Sequence, residues 1–175
     1  DYLCALLDRA IGDDFIVAAD ECYSEIYFGS ERPLGAMEAS HKLGRKHYER
    51  LIAFSSLSKR SNAPGLRSGF VAGDAQILKK FLLYRTYHGG AMGLAVQHAS
   101  IAAWSDEVHV VANRAAYAAK YRAMLPLLPP TLQTQQPEGG FYLWIQLNTD
   151  DVQFTQQLLA EQNVLVLPGS LLDRK

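Results

Sequence analysis

A chain of 175 residues that is 49% hydrophobic and 20% charged, with a net charge of −1, has ordinary globular composition and enough apolar side chains for one sizeable core. The near-neutral balance leaves no basic footprint for nucleic acid or an anionic membrane surface, and the longest apolar runs, FIVAA and FYLWI, fall far short of a membrane span. Cys4 and Cys22 show no C-x-x-C spacing and read as free thiols in a reducing, cytoplasmic setting.

In chain order, Leu3, Leu6, Leu7 and Ala10 follow helical spacing and Gly12 offers a stop. This opening has no basic stretch leading into a long apolar run, so it does not read as a signal peptide. Residues 15–20, FIVAAD, are apolar on both faces, the pattern of a buried parallel strand, and end abruptly in acids. The HKLGRKHYER run, with His41 and His47, reads as solvated surface, and the five histidines form no metal-ligand pattern. Residues 51–56, LIAFSS, read as a second buried strand and residues 66–73, LRSGFVAG, as a third after the turn SNAPG. Asp74 is placed to cap a helix to about Tyr87, GGAMG breaks it, and a further helix runs to about Trp104. Gly89, Gly90 and Gly93 are not a dinucleotide-binding fingerprint, since no strand precedes them. Asp106 can cap a long helix to about Met124, with Val110, Ala118 and Tyr121 among its apolar positions.

Beyond LPLLPP the texture changes. GGFYLWIQL reads as a strand, DDVQFTQQLLAEQ as a helix and NVLVLPGS as a strand with a turn, a small α+β unit. The expected organisation is a parallel-sheet α/β portion over 1–105 and an incomplete α+β unit over 106–175. Both ends look cut, so the chain reads as a fragment.

In parallel sheets ligands bind beyond the carboxyl ends of the strands. Asp20 and the Ser55–Lys59 run stand there, 39 residues apart at Asp20 and Lys59 yet able to converge at one crevice. Asp20 follows five apolar residues; a desolvated carboxylate there wants a cationic or hydrogen-bonding partner, and a helix cap is the equal alternative. Tyr23 can face the same cavity or, with Tyr27, form a core stripe. Lys59 can be an amine that captures a carbonyl, or half of a solvated basic pair with Arg60. Ser56, Ser58 and Arg67 supply hydroxyls and a guanidinium fork suited to a phosphate. A carbonyl-capturing amine, an anion clamp and an acid match the aldehyde, phosphate and ring nitrogen of pyridoxal 5'-phosphate.

These stretches resemble the class I/II aminotransferases, which are fold-type I pyridoxal-phosphate enzymes. The resemblance is carried by ADECYSEIYF, SSLSKRSNAPGLRSGFVAG, PEGGFYLWIQL and VLVLPGS, in the family's order over nearly the whole chain. It implies that Lys59 condenses with the cofactor's aldehyde and then shuttles the proton between the substrate α-carbon and C4′. It implies that Asp20 pairs with the pyridine nitrogen, that Tyr23 hydrogen-bonds the phenolic oxygen, and that Ser56 and Arg67, with Ser58 as a weaker candidate, hold the phosphate. The family's other contributions fall outside this chain: a glycine-containing phosphate site, a ring-stacking aromatic, an asparagine and a carboxylate-binding arginine. Arg174 lies too close to the PGS turn to be that arginine. The resemblance further implies amino-acid and 2-oxo-acid substrates and a homodimer. The segment YRTYHGGAMGLAVQHASIAAW is most similar to the N-succinyldiaminopimelate aminotransferases of lysine biosynthesis. Another class I/II aminotransferase, a C–S lyase on the same fold, or a non-catalytic aminotransferase-like effector domain of a transcription regulator are the alternatives.

Overall fold

In a computed structural model, residues 2–172 are described, and they divide into two compact units. One is Asp1–Lys120 with Glu138–Phe141, the other Tyr121–Pro137 with Tyr142–Lys175.

The first unit holds α1 (Tyr2–Gly12), β1 (Val17–Asp20), α2 (Ala36–Lys42), β2 (Leu51–Ser56), α3 (Leu57–Arg60), β3 (Gly69–Gly73), α4 (Ala75–His88), α5 (Leu94–Trp104) and most of α6 (Val108–Met124). The sheet order is β1-β2-β3. β1 and β2 are parallel with Val17 opposite Leu51 and Asp20 opposite Phe54. That register is what delivers both strand ends to one edge. β3 departs from the sequence expectation of a third parallel strand: it runs antiparallel to β2, with Ser56 opposite Gly69. Only residues 57–68 join the two strands, and they hold a four-residue helix and a short 3₁₀ turn, too little for a crossover. Gly73 closes this pairing at φ +140°, where a Cβ would lie 2.1 Å from the Leu51 carbonyl oxygen.

The core gathers Leu7 and Ala10 of α1, Val17, Ala36 and Ala39 of α2, and Leu51. These are the apolar positions that the helical spacing of α1 and the strand patterns put on one side. β1 is not buried on both faces, however: Val17 is buried while Ala18 is exposed. Across the sheet, the rings of Phe54 and Phe81 of α4 meet edge-on at 5.9 Å. The two helix starts foreseen from Asp74 and Asp106 carry their caps, and a third aspartate, Asp150, caps a helix as well. Asp74 accepts from the Gln76 and Ile77 amides, Asp106 from Val108, and Asp150 from Gln153 at the start of α7 (Asp151–Gln162).

In the second unit the two expected strands do not form. Among the described residues its only bridge joins Gln133 and Gln146. Leu143, Ile145 and Leu147 are half-buried while Tyr142, Trp144 and Gln146 are exposed. The period-2 alternation that read as a strand is therefore present, but a strand also needs a hydrogen-bonded ladder beside it. In the stretch before Gly169, Leu165 and Leu167 are more than half exposed and pair with no strand. Pairing is a tertiary fact that the local pattern does not contain. Asp151 instead ties the PGS turn to α7: Ser170 donates to it from its amide at 2.7 Å and its hydroxyl at 2.9 Å, and these bonds hold the Asp151 carboxyl below the usual range.

Candidate functional site

The site lies at the edge where β1 and β2 end. A crevice of about 480 Å³ is lined by Asp20, Tyr23, Ser56, Ser58, Lys59 and Arg67, all six residues singled out in the sequence, with Cys22 and Gly69 among their neighbours.

Asp20 ends β1, and the chain turns at once instead of entering a helix: residues 22–25 are a turn, and the Cys22 amide donates to Asp20 Oδ1 at 3.1 Å. The helix-cap alternative is thereby removed, and so is the helical stripe of Tyr23 and Tyr27. Asp20 is exposed among the described residues, against the expectation of a desolvated carboxylate, because it occupies the last, outward-facing position of a strand. The Cys22 thiol, and then its amide, stabilise the anion and hold the Asp20 carboxyl below its ordinary value, so it is ionised at neutral pH. Burial pushes the Cys22 thiol itself up, and Ser56 hydrogen-bonds to it.

Ser56 caps α3, its Oγ accepting from the Ser58 amide at 3.3 Å. As an acceptor there, the hydroxyl keeps its proton to donate to the Cys22 thiol or to a group in the crevice. At Gly69, opposite Ser56, the backbones approach closely: a Cβ would stand 2.6 Å from the Ser55 carbonyl oxygen. Arg67 is not on a strand. It takes a left-handed conformation (φ 51°) after the 3₁₀ turn Pro64–Leu66, with Nη1 donating to the Pro64 oxygen at 2.8 Å, and it is exposed.

Lys59 and Arg60 part company. Arg60 is 5% exposed, donates to the Ala103 carbonyl at 2.9 Å and to the Glu107 carboxylate, and lies 4.9 Å over the Trp104 ring. It is a structural anchor, which excludes the solvated basic pair. Lys59 Nζ instead stands 4.9 Å from the centre of Phe141 and 5.7 Å from that of Tyr23. Phe141 in turn packs on Tyr23 and stacks on Tyr117, each at 5.3 Å.

Phe141 and Tyr117 were missed by sequence reasoning. The available signal was the Gly-Gly before Phe141. Gly139 bridges Tyr27, the Gly140 amide donates to the Ile26 oxygen at 2.8 Å, and a Cβ on Gly139 would lie 2.7 Å from that same oxygen. The glycines let this segment approach the turn after β1 and put the next ring beside the lysine.

An amine among aromatic faces, two hydroxyls, a guanidinium and an ionised carboxylate in one crevice can capture a carbonyl, hold a phosphate and keep a heteroaromatic nitrogen protonated. Among the described residues no cluster of three or more His, Cys, Asp or Glu could hold a metal ion, and no helix is long and apolar enough to cross a membrane.

Comparison with known proteins shows the family to which the chain belongs. Residues 1–173 match the family described as aminotransferase class I and II. The crystal structure of an aminotransferase from Neisseria meningitidis is 50% identical with a TM-score of 0.88, over 98% of this chain and 44% of that one. A probable aminotransferase of Mycobacterium tuberculosis is 32% identical over 97% of this chain and 40% of its own length. An LL-diaminopimelate aminotransferase of Aquifex aeolicus is 30% identical over 94% of this chain and 42% of its own length. The chain thus spans less than half the length of each of these three proteins.

Proposed function

We propose, since this chain belongs to the class I and II aminotransferases, that the whole protein is a pyridoxal-phosphate-dependent enzyme moving an amino group between glutamate and a 2-oxo acid. The observation that carries this reading is the gathering of Asp20, Tyr23, Ser56, Ser58, Lys59 and Arg67 around one crevice.

These residue types fit the cofactor. When bound, it supplies an aldehyde and a ring that accepts electron density from the substrate. The Lys59 amine would hold the cofactor at its aldehyde carbon, the carbonyl oxygen leaving as water, and once displaced by the substrate's amine it would be free to carry the proton from the substrate α-carbon. The Asp20 carboxylate, already ionised, holds a proton on the ring nitrogen. Tyr23 donates its hydroxyl to the phenolic oxygen. The hydroxyls of Ser56 and Ser58 and the guanidinium fork of Arg67 hold the phosphate. Phe141 and Tyr117 keep water from the amine side of the crevice.

For the amino acceptor we propose N-succinyl-2-amino-6-ketopimelate, in lysine biosynthesis. This is supported by the likeness of residues 84–104 to the N-succinyldiaminopimelate aminotransferases and by the diaminopimelate in the name of the Aquifex relative, an amino dicarboxylic acid of similar chemistry. A cytoplasmic homodimer belongs to the same reading. The test is an assay of the full-length protein with glutamate and this oxo acid, with LL-diaminopimelate and aspartate as competing amino donors. Formation of 2-oxoglutarate with glutamate as donor is expected. Release of pyruvate and ammonia from a cysteine conjugate, with no amino transfer, would mean a C–S lyase.

A further inference from the structure

We propose that one face of α6 is a splint that fixes the backbone at the cofactor lysine, with Asn113 as its central positioning residue and His109 as its outer clamp. The inference rests on the reading of Lys59 given above.

α3, which carries Lys59, has four residues, and a helix of one turn is not held by its own hydrogen bonds. What holds it is tertiary. Asn113 Nδ2 donates to the carbonyl oxygen of Lys59 at 3.1 Å and to that of Arg60 at 3.4 Å. Arg60 is anchored on Ala103, Trp104 and Glu107 at the junction of α5 and α6. Ser61 Oγ lies 2.8 Å from His109 Nε2, and His109 Nδ1 lies 2.7 Å from Asp106 Oδ2. Three successive residues are thus tied to one segment.

The ties come from Asp106, His109 and Asn113, spaced by three and four so that they share one helix face, and Tyr117 follows four residues on. The chemistry of each group suits its place. An amide nitrogen carries two hydrogens and can serve two carbonyls. In the Nδ1–H tautomer, with that hydrogen on the Asp106 carboxylate, Nε2 accepts from the Ser61 hydroxyl. Lys59 gives only its main-chain oxygen to this splint, so its amine is left to the crevice. Reacting groups lose rate steeply with sub-ångström misplacement, and a one-turn helix has no rigidity of its own to prevent it.

Two variants of the full-length protein test this. Asn113→Asp keeps the shape but sets a carboxylate against two carbonyl oxygens; Asn113→Ala removes the donor without adding charge. In the cofactor-free protein, the Ser61 and Ala63 amides, both bonded to the Leu57 oxygen, should exchange hydrogen about tenfold faster, with the β2 amides unchanged. Borohydride-trapped capture of pyridoxal phosphate at Lys59 should slow about tenfold, while affinity for pyridoxine 5'-phosphate, which has the phosphate but no aldehyde, stays within about twofold. Unchanged exchange and capture would overturn the splint. So would a parallel fall in pyridoxine 5'-phosphate affinity, which would mean general loosening. Absence of capture at Lys59 in the unaltered protein would instead contradict the functional reading, and amide exchange would then decide the splint alone.

Discussion

At the scale of single residues, the most informative contrast is between two neighbours of like charge. Lys59 is half-buried with its amine beside rings, and Arg60 is buried with its guanidinium spent on carbonyl, carboxylate and indole. Lys59→Ala should therefore abolish cofactor capture and cost less than about 1 kcal/mol of stability, the scale of an exposed cation–π contact. Arg60→Ala should lower stability by about 2 kcal/mol, the scale of a charged hydrogen bond, as read from urea midpoints. Equal stability losses would show that the two are not differently employed. Arg67→Ala should weaken pyridoxal-phosphate affinity by about ten- to a hundredfold, the worth of a charge-assisted hydrogen bond. Unchanged affinity by fluorescence titration would remove Arg67 from the phosphate site. The residues that titrate or bind anions were legible in the sequence because their chemistry is unusual at a strand end. Phe141, Tyr117 and Asn113 were not, because an aromatic ring or an amide announces no role until its neighbours are known.

At the scale of elements, caps were legible and pairings were not. Asp74 shows why a cap can be read locally: its carboxylate accepts from amides two and three residues on. It also accepts from the Arg50 amide at 2.9 Å, and chiefly this bond holds its carboxyl below the ordinary carboxylate value. A group whose pKa is depressed on folding stabilises the fold above its unfolded value, near 3.9, and loses that contribution as pH falls through the folded value. Asp74→Ala should then cost about 1 kcal/mol at pH 7 and progressively less as pH falls below about 4, followed by urea unfolding across pH. A cost that stays constant down to strong acid would contradict the ionic cap. By contrast, nothing within LRSGFVAG tells parallel from antiparallel. The direction of β3 follows from the short path of residues 57–68, and the missing ladders of GGFYLWIQL and NVLVLPGS from partners that local periodicity cannot specify.

At the scale of the whole molecule, apolar side chains remain on the described surface, including Ile16, Leu82, Tyr87, Leu94 and Ile101, each more than half exposed. A protein that buries such residues against a second copy should sediment at twice its chain mass, and sedimentation of the full-length protein as a monomer would contradict the proposed homodimer. The sequence reading put a boundary near residue 105; the first compact unit runs through Lys120 and takes back Glu138–Phe141. No composition shift marks that return. It is made by glycines meeting the turn after β1, and it brings the one aromatic ring that stands nearest the lysine amine.

The measurement to make first is borohydride reduction of the full-length protein mixed with pyridoxal phosphate, followed by peptide mapping. A pyridoxyl group on Lys59, lost in Lys59→Ala, is the expected result. A label on another lysine, or none, would contradict the assignment of this crevice as the cofactor site.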